Sequence, residues 1–425
     1  MMKKFMFFIL IFIAVFALYL WQKKSINRYE YFEKGQKLEH FNGLKFSGSD
    51  ACMSCHEDIY NQHIKSAHFL TSTLPSDSTL KGIHEAISDG FKVGKHHSYS
   101  IDKKWNGFFQ ILENDSTNKI VRKDKIDIVI GSGVKGQSFF SWEGDKLFQL
   151  QTSYFVPSKK WINSPGYKEE LAAKLRPISV SCLECHATFA QTTPHKQTKY
   201  NFNKTNDEFN KKSIIWGVDC ERCHGPAAKH VAYQNKFPND TIGKHIVKQN
   251  QLSRQQKMDM CALCHSGSNR KKTNKEFHFV LGDTLDNFVY KDFRSYYKSK
   301  YKAAADVHGN QVELLESSKC FEKTATMDCT TCHNAHANER GNLINFNTKC
   351  INCHKNQNIS CSLPATSSAQ AHNASNCIDC HMPISKSNSM KIQDNDSLVQ
   401  VEVRSHLIKI YEPTTDKINQ YINNL

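Results

Sequence analysis

The residues best equipped for chemistry in this chain come in seven copies of one five-residue pattern. The copies are Cys52-Met-Ser-Cys55-His56, Cys182-Leu-Glu-Cys185-His186, Cys220-Glu-Arg-Cys223-His224, Cys261-Ala-Leu-Cys264-His265, Cys329-Thr-Thr-Cys332-His333, Cys350-Ile-Asn-Cys353-His354 and Cys377-Ile-Asp-Cys380-His381. They take up 14 of the 16 cysteines. Two thiols separated by two residues, with an imidazole directly after, form the attachment signature of c-type haem. The thiols add to the two vinyl groups of one porphyrin, and two intervening residues let both sulfurs reach it. The adjacent histidine is then held under the iron and supplies its proximal nitrogen.

Zinc ribbons, redox dithiols and disulfide frameworks also use paired cysteines. None of them needs a histidine directly after the second cysteine, which every copy here has. Random placement at this composition gives roughly 0.03 such pentamers, so coincidence is excluded. Seven covalently bound haem c groups are therefore expected. Their propionates also account for the charge. Lys and Arg outnumber Asp and Glu by 56 to 41, a formal +15. Seven haems bring this to about +8 with ferric irons and about +1 with ferrous ones. No nucleic-acid partner is expected.

An iron held on both faces needs a second axial ligand. Beyond the seven motif histidines the chain has fourteen more, enough for seven bis-histidine haems but not self-identifying. Context sharpens several. His336 lies three residues past His333, too close to turn onto its own haem but well placed for a neighbouring one. His68 ends Lys-Ser-Ala-His after the first motif, and His230 lies six residues beyond His224. His308 precedes Gly-Asn-Gln, His372 lies five residues before Cys377, and His406 follows the last motif. Met53, Met327 and Met382 are possible iron ligands, read here as packing or loop residues.

The elements that must position these residues are less regular. Glu57 to Leu70 reads as a helix. A haem-free stretch of about 125 residues runs from Glu57 to Ser181, and its later half alternates as strands do, in Ser98-Tyr-Ser-Ile, Gly107-Phe-Phe-Gln-Ile-Leu, Ile126-Asp-Ile-Val-Ile130, Phe139-Phe-Ser-Trp and Lys146-Leu-Phe-Gln-Leu. Gly131-Ser-Gly133-Val-Lys-Gly136 matches G-x-G-x-x-G after a strand. Phe139, Trp142 and the turn Glu143-Gly-Asp follow too soon for the helix a dinucleotide site requires, so the run is read as a turn between strands. From about 177 to 410 few apolar runs could make a core of their own, and haem faces are expected to supply the burial. One longer helix is expected at about 288–317. The expected fold is mainly α and irregular, organised by stacked haems, with a small antiparallel β insertion and an N-terminal membrane helix. The divisions are 1–24 anchor, 25–48 linker, 49–95 first motif, 96–176 β-rich insertion, 177–410 six-haem region and 411–425 tail.

The anchor rests on Phe5 to Trp21, 17 uncharged apolar residues between lysines at 3 and 4 and the basic Lys23, Lys24 and Arg28. No small-x-small cleavage site follows, so an uncleaved span is preferred to a cleaved signal peptide. Covalent haem attachment in bacteria occurs outside the cytoplasmic membrane, which places the bulk of the chain in the periplasm. There the two remaining thiols, Cys320 and Cys361, are expected to form a disulfide.

The motifs with their flanks resemble a family, the multihaem cytochromes related to hydroxylamine oxidoreductase and its tetrahaem electron acceptor. The likeness rests on Ala51-Cys-Met-Ser-Cys-His-Glu-Asp-Ile-Tyr with Ser66-Ala-His68, on Gly131-Ser-Gly and on Trp161-Ile-Asn-Ser-Pro-Gly. Val218-Asp-Cys-Glu-Arg-Cys-His-Gly-Pro, Met327-Asp-Cys-Thr-Thr-Cys-His-Asn-Ala-His and Cys377-Ile-Asp-Cys-His-Met-Pro383 extend it over residues 49–410. The resemblance implies closely stacked haem pairs, mostly bis-histidine, with distal roles for His68, His230, His308, His336, His372 and His406. The seventh distal ligand is left open among His97, His63 and His195. Hydroxylamine oxidoreductases carry one haem more than the motifs here and cross-link the substrate haem to a Tyr, which nothing in this chain matches. A C-x-x-C-K motif of the kind used by pentahaem nitrite reductases is also missing.

Iron closed on both faces relays electrons and binds no substrate. The expected function is therefore electron transfer rather than enzymatic, between a quinol-linked membrane donor and a periplasmic acceptor in respiration. The competing function is an oxidoreductase acting on hydroxylamine, nitrite or a sulfur oxyanion such as tetrathionate at one five-coordinate haem. The motif Cys182–His186 is its candidate, with Lys174, Arg176 and His195 near in sequence. Produced in cells able to make cytochromes, the chain should be coloured and carry the mass of seven haems; mass spectrometry of the intact protein checks this.

Overall fold

The computed structural model describes residues 38–83, 91–167, 175–193, 207–266, 276–289, 306–356, 377–394 and 397–411. Its largest regular elements are strands. A four-stranded antiparallel sheet runs in chain order through Phe91–Val93, His97–Lys104, Gly107–Asn114 and Lys119–Ile126. A six-stranded sheet places Ile128–Ile130 between Ser72–Thr73 and Gly136–Glu143, with Lys146–Phe155 beyond. Lys160–Asn163 and Arg176–Pro177 both pair with Lys146–Phe155.

Alternation along these strands fixes the layers, because successive side chains leave a sheet on opposite faces. Val129, Phe139 and Leu150 join Ile101, Phe108 and Ile126 of the four-stranded sheet in one core. Ile128, Ile130, Phe140 and Leu147 go into another, with Leu183, Ala187, Phe189 and Trp216. The six-stranded sheet is thus a middle layer. Leu183 lies inside the second motif, which mounts that motif directly on the sheet. Ala187–Phe189, immediately after His186, pairs with Ile215–Trp216 just ahead of Cys220, so a short ribbon joins the second and third motifs.

A fold that is mainly α with a small β insertion does not describe this architecture. Besides the two sheets, Ile384–Asp394 and Ser397–Arg404 form a hairpin inside the region expected to be helical. Val399-Gln-Val-Glu-Val403 alternates as a half-buried strand does. Val401 and Ile392 pack on Phe155 and Ile162, finding cover on the sheet rather than on a haem. Helices are short, and the longest among the described residues, Arg254–His265 and Leu343–Asn356, carry the fourth and sixth motifs. The helix expected over 57–70 stops at His63, and the Ser66 hydroxyl accepts from the Phe69 N–H (3.1 Å) to begin a separate 3-10 turn, Phe69–Thr71. Of the helix expected at about 288–317, the described residues contain Gln311–Glu316. Ahead of it the chain turns where the Asp306 carboxylate accepts from the His308 N–H (2.7 Å), and 290–305 lie outside the described residues.

The expected location is also corrected. Among the described residues no helix is long and apolar enough to cross a membrane. The run Phe5–Trp21 lies outside the described residues, so no structural support for an anchored periplasmic protein exists and that assignment is withdrawn. Cys361 lies outside them as well; Cys320 is half-buried with a free thiol.

The glycine run turns without a helix. Gly131 and Gly133 take φ of +103° and +76°, and the chain passes at once into Gly136–Glu143. The Gln137 amide closes the turn by donating to the carbonyls of Thr79 (2.8 Å) and Gly131 (3.2 Å) and accepting from the Lys81 N–H (2.8 Å). A Cβ on Gly131 would lie 2.5 Å from the Gly136 carbonyl oxygen. Gly131→Ala should therefore cost roughly 1–3 kcal/mol and lower the thermal unfolding midpoint while leaving haem content unchanged.

Candidate haem-binding cluster

A single helical turn makes each motif a two-point anchor. In the first, the Cys52 carbonyl accepts from the N–H groups of Cys55 (3.2 Å) and His56 (2.9 Å). In the fifth, the Cys329 carbonyl accepts from those of Cys332 (3.3 Å) and His333 (3.0 Å). Residues three apart share a helix face, so both thiols address one porphyrin edge. Local capping starts these turns. The Asp219 carboxylate accepts from the Cys220 N–H (2.8 Å) and that of Asp328 from the Thr330 N–H (2.8 Å). The helix ending in the fourth motif opens on a capping box between Ser253 and Gln256.

An iron between two imidazoles lies about 2 Å from each ligating nitrogen, which puts the ring centres about 6 Å apart. Three motif histidines meet a histidine at this spacing. His265 faces His68 at 6.2 Å, His224 faces His336 at 6.0 Å, and His333 faces His406 at 6.1 Å. Burial pushes the pKa of His224, His265 and His406 down to about 4. It lowers those of His68, His333 and His336 too. Cost of desolvating the charged ring keeps each imidazole neutral, the form that ligates metal. The residues present thus fit iron porphyrin. Among the described residues, no group of three or more His, Cys, Asp and Glu is gathered as a bare metal site.

The other candidates fall in different places. His230 and His381 donate from Nδ1 to the carbonyls of Lys244 (2.8 Å) and Lys409 (3.0 Å), which leaves Nε2 for a metal. His308 is within electrostatic range of His265. His56 and His354 are exposed. Nδ1 of His186 meets the Thr71 hydroxyl at 2.9 Å, and among the described residues no histidine ring faces it. His63 is buried, 6.3 Å from the His336 ring and 3.7 Å from the Asp219 carboxylate. His97 begins a strand of the four-stranded sheet beside Asp115. Arg176 donates to the Pro165 carbonyl (2.7 Å). Lys174, His195 and His372 lie outside the described residues.

Thiol contacts order the motifs in space. Cys52 lies beside Cys220, Cys261 beside Cys329 and Cys350 beside Cys377, joining motifs one and three, four and five, six and seven. Cys332 is within range of Cys353, linking five to six. Arg222 is within range of Cys185, Cys223 and Cys264, linking two, three and four. The line is one, three, four, five, six, seven, with two beside the three–four junction.

Sequence reasoning passed over the two residues inside each motif. Glu221 is 5% exposed, and its carboxylate accepts from the N–H groups of Ser47 (2.8 Å), Gly48 (2.8 Å) and Ala227 (2.7 Å). Burial raises its pKa against these three donors. This clamp ties the approach to the first motif onto the third. A carboxylate within a haem motif, where exposure would be ordinary, is the signal that points to it.

Two family models match parts of the chain. One, described as cytochrome c554 and c-prime, covers residues 156–225 with the second and third motifs; the other, a doubled CXXCH motif, covers 323–359 with the fifth and sixth. The multiheme cytochrome MtrA of Shewanella baltica (strain OS185) is 28% identical over 151 residues, which is 34% of this chain and 44% of that protein. The chain thus matches less than half the length of that relative. The crystal structure of the outer cell wall cytochrome OcwA is similar in fold, with a TM-score of 0.50 at 19% identity, covering 88% of this chain and 82% of that one.

Glu221→Ala would leave three N–H groups without their acceptor, each worth about 1–3 kcal/mol if it stays buried. The expected result is a clearly lower thermal unfolding midpoint, read by loss of circular dichroism, with a milder loss for Glu221→Gln.

Proposed function

We propose that the chain is a multihaem c-type cytochrome that carries seven haems and relays electrons between redox partner proteins. The observation that carries this is the set of three facing imidazole pairs, each at the spacing one iron requires. When bound, haem supplies a one-electron ferric–ferrous couple. The protein's own part is to close both axial positions with neutral imidazoles, so that no small molecule reaches the metal. Nδ1 bonds such as those of His230 and His381 fix the ring tautomer and aim Nε2. Thiol contacts bring successive motifs edge to edge, which matters because tunnelling decays exponentially with distance.

In this reading His68, His336 and His406 are the distal ligands of the fourth, third and fifth haems. His230, His308 and His372 remain proposed for the others, with His56, His186, His354 and His381 as proximal ligands. The quinol-linked donor rested on the membrane helix and is not part of this reading. Kinship with hydroxylamine oxidoreductase is proposed on the motifs alone.

One observation favours a second reading. His186 has a hydroxyl on its Nδ1 and no facing histidine among the described residues, so the second motif is where an open iron, and with it reduction of a small nitrogen or sulfur compound, would be sought. Electron paramagnetic resonance separates the two. The relay predicts low-spin signals throughout the oxidised protein, and a substantial high-spin fraction would overturn it in favour of the second reading. His68→Ala should convert one haem, and no more, to high spin.

A further inference from the structure

A buried cation stands where the second motif meets the line, and the relay as described has no use for it. Arg222 lies between the two cysteines of the third motif and is 5% exposed. Glu184 holds the same place in the second motif and is 2% exposed. The Arg222 guanidinium donates from Nη2 to the Glu184 carbonyl (2.9 Å), with the Glu184 carboxylate 3.9 Å away. It lies 4.9 Å over the Phe277 ring, and its Nε is buried without a hydrogen-bond partner. Oε1 of Glu184 accepts from the Phe277 N–H (3.2 Å), and the Cys264 thiol rests on the Glu184 carbonyl (3.9 Å). The thiols in range of Arg222 are Cys185, Cys223 and Cys264, the second cysteines of motifs two, three and four.

Holding an arginine this deeply is costly, and an apolar side chain of similar volume would fill the space more cheaply. At 3.9 Å the ion pair is long, so its charges cancel only in part at the neighbouring porphyrins. Reduction adds one electron to an iron and lowers the charge of its haem core by one. A fixed cation nearby therefore favours the reduced state, and a fixed carboxylate favours the oxidised one.

We propose that Arg222, opposed by Glu184, sets the reduction potentials of the haems at the two–three–four junction and so directs electrons to and from the branch at the second motif. Arg222 is a positioning charge, touching no substrate. The proposal rests on haem occupying these motifs.

The test is anaerobic potentiometry of the haem-loaded full chain, followed optically, for the native protein, Arg222→Gln and Glu184→Gln. The expected result is opposite displacement of the same few midpoints, downwards for Arg222→Gln and upwards for Glu184→Gln, with the remaining haems unmoved. Should Arg222→Gln lose haem, Arg222→Lys replaces it: retained midpoints support the proposal, and a fall like that expected of the glutamine overturns it. Shifts of the same sign in both charge-removing variants, or none, would overturn it and leave the pair a packing device. A native protein without haem would instead refute the underlying reading of the motifs, and mass spectrometry tells the two failures apart.

Discussion

An iron takes its two axial nitrogens on one line and at one spacing, and no local element of this chain can meet that requirement alone. His68 belongs to the turn after the first motif yet faces the histidine of the fourth. His336 sits three residues from His333 and faces His224 instead. Each such pair brings distant parts of the chain together. This explains why the helices are short. A motif helix has to hold two thiols and a ring in register, and one turn with an aspartate cap does so.

Burial comes from the sheets. The six-stranded sheet is apolar on both faces because it is a middle layer, covered by the four-stranded sheet on one side and by the second motif and the ribbon leading into the third on the other. Leu183 makes the second motif part of that core. Glu221 then carries the arrangement outward, binding the approach to the first motif by three backbone donors. The motifs around the sheet are therefore located by ordinary packing and hydrogen bonding as well as by their cofactors.

The motifs were legible because thioether chemistry tolerates one spacing and leaves it written in consecutive residues. So were the strands over 97–114 and 128–155, whose alternation and turns are local signals, and so was the glycine turn at 131–136, but the charged strand Lys119–Ile126 was not. The hairpin at 384–404 was missed although Val399-Gln-Val-Glu-Val403 alternates, because the density of motifs around it suggested that haems would do all the burying. Which histidine faces which was not legible at all: pairing is decided by loop paths, and a free histidine looks the same whether or not an iron awaits it. The interior positions of the motifs were read as spacers, and Glu184, Glu221 and Arg222 show that burial turns some of them into structural charges.

The ribbon between Ala187–Phe189 and Ile215–Trp216 has a consequence for how such a molecule can diversify. It hydrogen-bonds the exit of one motif to the entrance of the next, so their separation is set by a ladder rung rather than by the length of chain between them. An insertion beyond Thr193, past the bridge between Thr192 and Phe209, would leave that ladder in place. New surface could be grafted there without moving the two motifs apart.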